Sequence, residues 1–483
     1  MGEKIEERKT EVLIVGAGPT GLFLAGLLHK YNVPFHIIDK KEGPTAESRA
    51  LGVQPRTLEI FDSFGLASKV IERGLKIKGF SIFEKHQHLR SLEFSNLPTP
   101  FPFAVTLPQS ETERILIEWL NIGGRSVDWK SELTAINPFD RGVEATIVTD
   151  GKEQKSSYNW VIGCDGINST TRQGMGIEAS NERLEDSFGL ADIQLANSDP
   201  LEFATANFTK EGILACFPLP KGACRLVVNK FDPSNQNDQF WHSVIETRAP
   251  FKATIESFSW QSHFQVKYSL AHRFRSGRVF LCGDAAHVHS PIGGQGMNLG
   301  LQDAYNLAWK LSATIAGKAI PRLLHSYQKE RRPIAQGVLR MTHFMSKAAF
   351  GKGLPGMFRP FILKHILKYP NILNKVQMRL AQLSHNYRDS PIIQDTSCSF
   401  TSHSRRLFKR GPRAGDRAPD APAKVKGEDT TLIKQLPLGR HAALFFVHDG
   451  IGMSEHTHQL VLRTKSRLHS RYLQEVDCYL IVK

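Results

Sequence analysis

Three glycines and a carboxylate near the amino terminus have the types and spacing to grip a pyrophosphate. Gly16, Gly18 and Gly21 form a Gly-x-Gly-x-x-Gly run, and Asp39 follows 18 residues after Gly21. The first glycine permits a tight turn, the second lets backbone approach a phosphate, and the third lets a helix close on a strand. Asp39 is placed to accept hydrogen bonds from a ribose. Pro19 and Thr20 inside the turn, and Lys40 beside the acid, complete this candidate set. Two later segments end an apolar run on an aspartate: Trp160-Val161-Ile162-Gly163-Cys164-Asp165-Gly166, and Val279-Phe280-Leu281-Cys282-Gly283-Asp284. A strand that stops on Asp delivers a carboxylate to the carboxyl edge of a parallel sheet, where ligands of such folds bind. The second is followed by Ser290-Pro291-Ile292-Gly293-Gly294-Gln295-Gly296-Met297-Asn298. The glycines of that loop let backbone N–H groups approach a ligand closely, and the dipole of a helix behind it favours negative charge there.

Such residues need a βαβ frame, and the patterning provides one. Thr10 to Val15 has no alternation, as expected of a parallel strand buried on both faces. Leu22 to His29 continues as a helix, and Pro34 to Asp39 forms a second strand. A further helix is expected from Leu299 to Ala316 behind the Gly-rich loop. Gly212 to Leu219 and Arg225 to Val228 alternate instead, which predicts an antiparallel sheet. Aromatic residues are dense in two stretches, with Phe80, Phe83, Phe94, Phe101 and Phe103 in the first and Phe203, Phe208, Phe217, Phe240, Phe258 and Phe264 in the second. They read as core and pocket wall.

These segments together resemble the single-component FAD monooxygenases that hydroxylate aromatic rings, of the para-hydroxybenzoate hydroxylase and phenol hydroxylase type. Two more segments carry the resemblance. In Ser48-Arg49-Ala50-Leu51-Gly52-Val53-Gln54-Pro55-Arg56-Thr57, Arg49 matches the family arginine that reaches the FAD pyrophosphate, and in Leu107-Pro108-Gln109-Ser110, Gln109 matches a flavin-contacting glutamine. The resemblance implies that Asp165 and Gly166 support FAD and a passing nicotinamide, that Gly283 and Asp284 bind the ribityl chain, and that Gly294, Gly296, Met297 and Asn298 meet the flavin ring. It also places the Pro291 carbonyl in the reaction zone, and it makes His287 structural more often than catalytic. The implied chemistry is reduction of FAD by NADPH or NADH, formation of a flavin C4a-hydroperoxide with O2, and hydroxylation of a small phenolic substrate. An epoxidase or quinone-pathway oxygenase acting on a lipid-soluble ring, and a flavin-binding protein without catalysis, are the alternatives. No second Gly-x-Gly-x-x-Gly with a strand before it suggests a separate nicotinamide domain, and no metal is implied.

The implied fold is α/β: a Rossmann-like FAD-binding domain with an inserted antiparallel β-sheet substrate domain and a thioredoxin-like tail. The expected division is FAD-binding at 1–75, 107–180 and 271–390, substrate strands at 76–106 and 181–270, and a tail at 411–483. Gly411 to Asp420 reads as the linker that opens the tail, with strands at Ala442 to Val447 and Cys478 to Val482. With Cys478 alone, the tail reads as structural or dimer-forming, and it stops before the further turn and strand that relatives carry.

With 483 residues, 41% hydrophobic and 23% charged, the chain can bury a full core in two or three domains, which excludes a disordered or fibrous protein. Its 62 Lys and Arg exceed 47 Asp and Glu, and most of the surplus lies in 321–388, where Glu330 is the one acid among 13 cations. The basic residues of Tyr327 to Pro333 read as a solvated face. Phe358 to Lys368 looks amphipathic and basic, suited to peripheral contact with anionic lipid. Aromatic interleaving suited to nucleic acid is sparse. The six cysteines, without a CxxC pair, read as reduced, mostly buried thiols of a cytoplasmic protein.

Overall fold

A computed structural model of the chain describes residues 11–45, 50–196, 201–229, 231–232, 237–290, 293–350, 362–366, 368–394, 412–425, 427–436, 440–447, 455–472 and 475–482. The chain divides into two compact units, Met1–Ala418 and Pro419–Lys483.

The frame of the first unit is a five-stranded sheet, ordered Arg275–Ser276, Val279–Leu281, Trp160–Gly163, Val12–Val15, Phe35–Ile38. The last four strands run parallel, in register Val12 with Trp160 and Phe35. Val12 and Ile14 join one apolar cluster, with Leu22, Leu116 and Leu299 from three covering helices, Pro19–Lys30, Gln109–Ile122 and Gly296–Ile315. Leu13 and Val15 point the other way, into a cluster with Leu133, Val143 and Ile147 of a three-stranded antiparallel sheet spanning 131–158. Burial on both faces explains the unbroken apolar run at the sequence level. The helix behind the Gly-rich loop begins at Gly296, three residues before the expected Leu299, so Met297 and Asn298 belong to its first turn.

The inserted sheet has eight strands, ordered His287–Val288, Thr254–Ala271, Ala179–Ala196, Ala223–Asn229, Ile213–Pro218, Ala204–Phe208, Gly79–Glu84, Gln87–Glu93. It is antiparallel apart from one pair, since Ala204–Phe208 runs parallel to Gly79–Glu84. Those two strands come from distant stretches of chain, so no hairpin dictates their direction. One face packs under the helix Asp238–Arg248, with Trp241, Leu214, Cys216 and Leu226 in its core. Phe240 and Phe258 also pack there, and Phe94 is fully buried in another cluster.

The cysteines depart from the expectation of reduced thiols. Cys216 and Cys224 form a disulfide, with Cα atoms 6.4 Å apart. They lie on adjacent antiparallel strands whose register sets Cys216 opposite Leu226 and Pro218 opposite Cys224. Cys164, Cys282 and Cys478 remain free. Of the basic residues around Tyr327, Lys329 is exposed as expected, Arg332 is half-buried, and Arg331 departs from a solvated face. Tyr327 and Arg331 have no exposed surface, and Glu330 is buried, because the helix His325–Phe350 lies across the helix Gly296–Ile315.

Residues 412–418 pack within the first unit. The Arg388 guanidinium pairs with Asp416 (2.6 Å), and Arg417 donates to Glu59 (2.9 Å) and to the Pro98 carbonyl (2.9 Å). The second unit holds a hairpin, Pro422–Val425 with Glu428–Thr431, and a βαβ unit. In the latter, His441–Val447 pairs in parallel with Val476–Val482 around the helix Glu455–Tyr472. Among the described residues no helix is long and apolar enough to cross a membrane. Of the basic segment 358–368, residues 362–366 and 368 are described, and the rest lie outside the described residues.

Candidate functional site

A cavity of about 1660 Å³ opens where the carboxyl ends of the parallel strands meet the inserted sheet. Gly16, Gly18, Pro19, Thr20, Asp39 and Lys40 line it, as do Gln109, Asp165, Gly166 and Asp284. Gly294, Gly296 and Met297 form another part of its wall. Gly21, Gly283 and Asn298 do not line the cavity. Arg49 and Pro291 lie outside the described residues.

The glycine run divides its labour. Gly16 has φ +102°, and a Cβ there would lie 2.4 Å from the Cys164 carbonyl oxygen. A Cβ on Gly21 would lie 1.9 Å from the Gly16 carbonyl oxygen, so this residue lets the helix close on the turn. A Cβ on Gly18 would meet nothing within 4 Å. Open space therefore lies above the turn at the one glycine that packing does not demand. The Asp39 carboxylate accepts from Ala17 N–H (2.7 Å) and Lys41 N–H (2.9 Å), which ties the turn to the end of the second strand. Lys40 reaches Glu132 at 3.4 Å.

Asp165 orders its own loop. It accepts from the Ser169 hydroxyl (2.6 Å) and from both the N–H (2.9 Å) and hydroxyl (3.0 Å) of Thr171. Gly166 beside it has φ +77°. Gln109 accepts from Ala50 N–H (3.3 Å) and donates to Glu113 (2.9 Å), whose carboxyl burial holds above its usual range. Asn298 works behind the Gly-rich loop, donating to Gly52 (2.7 Å) and Gly294 (2.8 Å) carbonyls and accepting from Gln54 N–H (2.9 Å).

The Gly283-Asp284 turn rests on a buried charge network that sequence reasoning missed. Asp303 accepts from His287 Nε2 (2.6 Å), Arg331 Nε (2.7 Å) and Gly283 N–H (3.1 Å), and all three side chains are fully buried. Burial alone would raise its carboxyl, but the charges of His287 and Arg331 hold it below its usual range. Arg331 also donates to the Tyr387 hydroxyl and the Leu299 carbonyl, each at 3.1 Å. His287 is therefore a support beneath the loop. His289 faces the cavity and donates from Nδ1 to the Ser290 carbonyl (2.8 Å), and burial lowers its pKa to about 4. One signal could have exposed the network. Asn298, Gln302, Asn306 and Lys310 recur every four residues with Asp303 alongside, a polar stripe on a helix that is otherwise apolar.

The cavity wall suits a flavin dinucleotide on two grounds. The helices Pro19–Lys30 and Gly296–Ile315 both begin at it, and neither has a side-chain cap or an acid in its first turn. Their leading N–H groups and positive dipole ends are thus left for an anionic or carbonyl-bearing ligand. Helices such as Ala67–Arg73 also lack a side-chain cap, so it is the place of these two helix starts on the cavity wall that suits them to a ligand. The volume also exceeds the roughly 300–1,000 Å³ that one drug-sized ligand occupies.

The family described as "FAD binding domain" matches residues 9–342, more than half of the chain. The chain belongs to it. Pentachlorophenol 4-monooxygenase of Sphingobium chlorophenolicum is 34% identical over 430 residues, covering 85% of this chain and 75% of that one. The 6-methylpretetramide 4-monooxygenase of Streptomyces rimosus is 34% identical over 399 residues, covering 80% and 71%. Among solved structures, OxyS anhydrotetracycline hydroxylase from Streptomyces rimosus superposes with a TM-score of 0.77 at 28% identity, covering 97% of this chain and 89% of that one. The relatives are flavin-dependent aromatic monooxygenases, and the Rossmann-like frame with its mixed α/β build is the one they share.

Proposed function

We propose that this protein is a monooxygenase that uses FAD, NAD(P)H and O2 to place one oxygen atom on an electron-rich, phenol-type ring, the other leaving as water. When bound, FAD would accept two electrons from the nicotinamide and pass them to O2. The turn from Gly16 to Gly21 and the helix end behind it hold the pyrophosphate, with Asp39 at the adenosine ribose and Lys40 beside it. Asp284 takes the ribityl hydroxyls, Gln109 and the Asp165-Gly166 loop flank the chain of the cofactor, and the resemblance adds Arg49 at the pyrophosphate. The uncapped start of the helix Gly296–Ile315, with Gly294 and Met297, favours negative charge on the reduced ring. The resemblance also adds the Pro291 carbonyl as a hydrogen-bond acceptor in the reaction zone.

The observation that carries this reading is a single cavity walled on one side by the glycine turns and aspartates and on the other by the apolar face of the inserted sheet. Phe80, Phe188, Phe208 and Phe217 stand on that face. They keep water from the reacting atoms, which protects activated oxygen from release as peroxide. The test is to reconstitute the purified chain with FAD, add NADPH or NADH with a panel of phenols under 18O2, and analyse products by mass spectrometry. Nicotinamide oxidation coupled to one 18O per product is expected. Failure to retain FAD, or products without label, overturns the reading.

A further inference from the structure

The inserted sheet presents a shallow trough to the cavity. The strand registers align Ile82, Ala206, Ala215, Val227 and Leu190 in one row across five neighbouring strands. All five line the cavity. Along their own strands the two alanines are flanked by large side chains, Ala215 by Ile213 and Phe217, and Ala206 by Phe208 on one side. Side chains two apart share a face of a strand, and neighbouring strands lie about 4.8 Å apart. Two adjacent alanines therefore remove the bulk from two strands in the middle of an otherwise large-residue wall, while Ile82 and Val227 close its ends.

Among the described residues of these five strands that line the cavity, the one charged side chain, Arg225, is already matched. Arg225 stands opposite Phe217 and Asp192, is paired with Asp192 at 2.6 Å through both Nε and Nη2, and lies 5.0 Å from the Trp260 ring centre. The floor is thus flat, apolar and electrically balanced. The volume agrees with a large occupant: after one ligand at the top of the usual range, about 660 Å³ of the 1660 Å³ remains.

We infer that Ala206 and Ala215 determine specificity by admitting a planar, multi-ring aromatic substrate that lies across the trough, which a single ring would not fill. This rests on the aromatic monooxygenase reading and names its substrate class. A flat ring system gains contact with every strand of the row, whereas a single ring reaches two of them at most. Side chains larger than alanine at either position would lift the flat ligand off the sheet and leave a small phenol unaffected.

The test uses the full chain reconstituted with FAD, probed with phenol and with alizarin, a hydroxylated anthraquinone, by perturbation of the flavin absorbance on titration. Wild type should bind alizarin more tightly than phenol. Ala206→Leu and Ala215→Leu should each weaken alizarin about tenfold to a hundredfold and change phenol less than twofold, as expected for overpacking of a fitted site. Ala215→Ser, which adds little bulk, should retain alizarin binding and shows that the position tolerates change. Equal loss of both probes in the leucine variants, or no loss of either, overturns the inference. Flavin content and circular dichroism of each variant separate misfolding from a size effect. Binding is read without turnover, so loss of size selection with labelled product still formed refutes the trough alone. Size-selective binding without oxygen transfer refutes the monooxygenase reading alone.

Discussion

Replacing Asp303 by Asn isolates the network beneath the Gly283-Asp284 turn. The carboxylate is fully buried and takes three donors, from His287, Arg331 and Gly283. Asn keeps the shape but removes the charge, which leaves the Arg331 guanidinium buried among neutral acceptors, the amide oxygen, the Tyr387 hydroxyl and the Leu299 carbonyl. Breaking a buried pair from one side costs about 3–5 kcal/mol, because the surviving charge is desolvated without compensation. The pH dependence has a definite sign. The folded carboxyl lies below its usual range, so its contribution is fully present above the unfolded-state pKa and is lost as pH falls through the lower folded value. Urea unfolding followed by tryptophan fluorescence from pH 3 to pH 8 should show a lower midpoint for Asp303→Asn near neutrality. The gap to wild type should narrow under acid. The double variant Asp303→Leu with Arg331→Met should recover part of the loss, since neither charge then needs a partner. A single variant within about 1 kcal/mol of wild type at neutral pH, or a gap that stays constant under acid, would refute the reasoning.

Other outcomes follow from the same geometry. Gly18→Val should leave unfolding of the FAD-free chain within about 0.5 kcal/mol of wild type yet abolish FAD retention on gel filtration, because its φ of −73° is ordinary and its Cβ meets nothing within 4 Å. Gly21→Val should destabilise the FAD-free chain itself, since its Cβ collides with the Gly16 carbonyl; equal stability of the two variants would contradict this division. Lys310 is buried against Glu330, and desolvation outweighs that partner, lowering its pKa to about 8. The unfolded chain then binds more protons between about pH 8 and 10.5, so wild-type stability should gain on the order of 3 kcal/mol over that window relative to Lys310→Met. Parallel stability curves for the two proteins in alkaline urea titrations would count against it.

The glycine run, the Asp39 position and the two strand-ending aspartates were legible because each depends on residues close in sequence. A strand, a turn of set length and a helix leave little freedom, so Gly16, Gly18 and Gly21 could be given distinct tasks before any packing was known. The tail strands were readable for the same reason, within a residue or two at each end. The partners of charged and sulfur-bearing side chains were not. Arg331 looked solvated because the acids that neutralise its neighbourhood lie elsewhere: Asp303 is 28 residues away, and Glu330 pairs with Lys310 at a distance of 20. Cys216 and Cys224 looked unpaired because their pairing depends on a strand register.

By itself the amino-acid sequence determined which local turns can approach a phosphate and which strands are buried on both faces. Those are properties of short chain segments, governed by backbone sterics and by the alternation of apolar side chains. Only the tertiary structure decided which buried charges neutralise each other and which small residues stand side by side. Ala206 and Ala215 are unremarked alanines in the chain, and they become a trough because their register sets them on one face of adjacent strands. That alignment arises from cross-strand hydrogen bonding between segments joined by loops, and a shift of one residue would turn both away from the cavity.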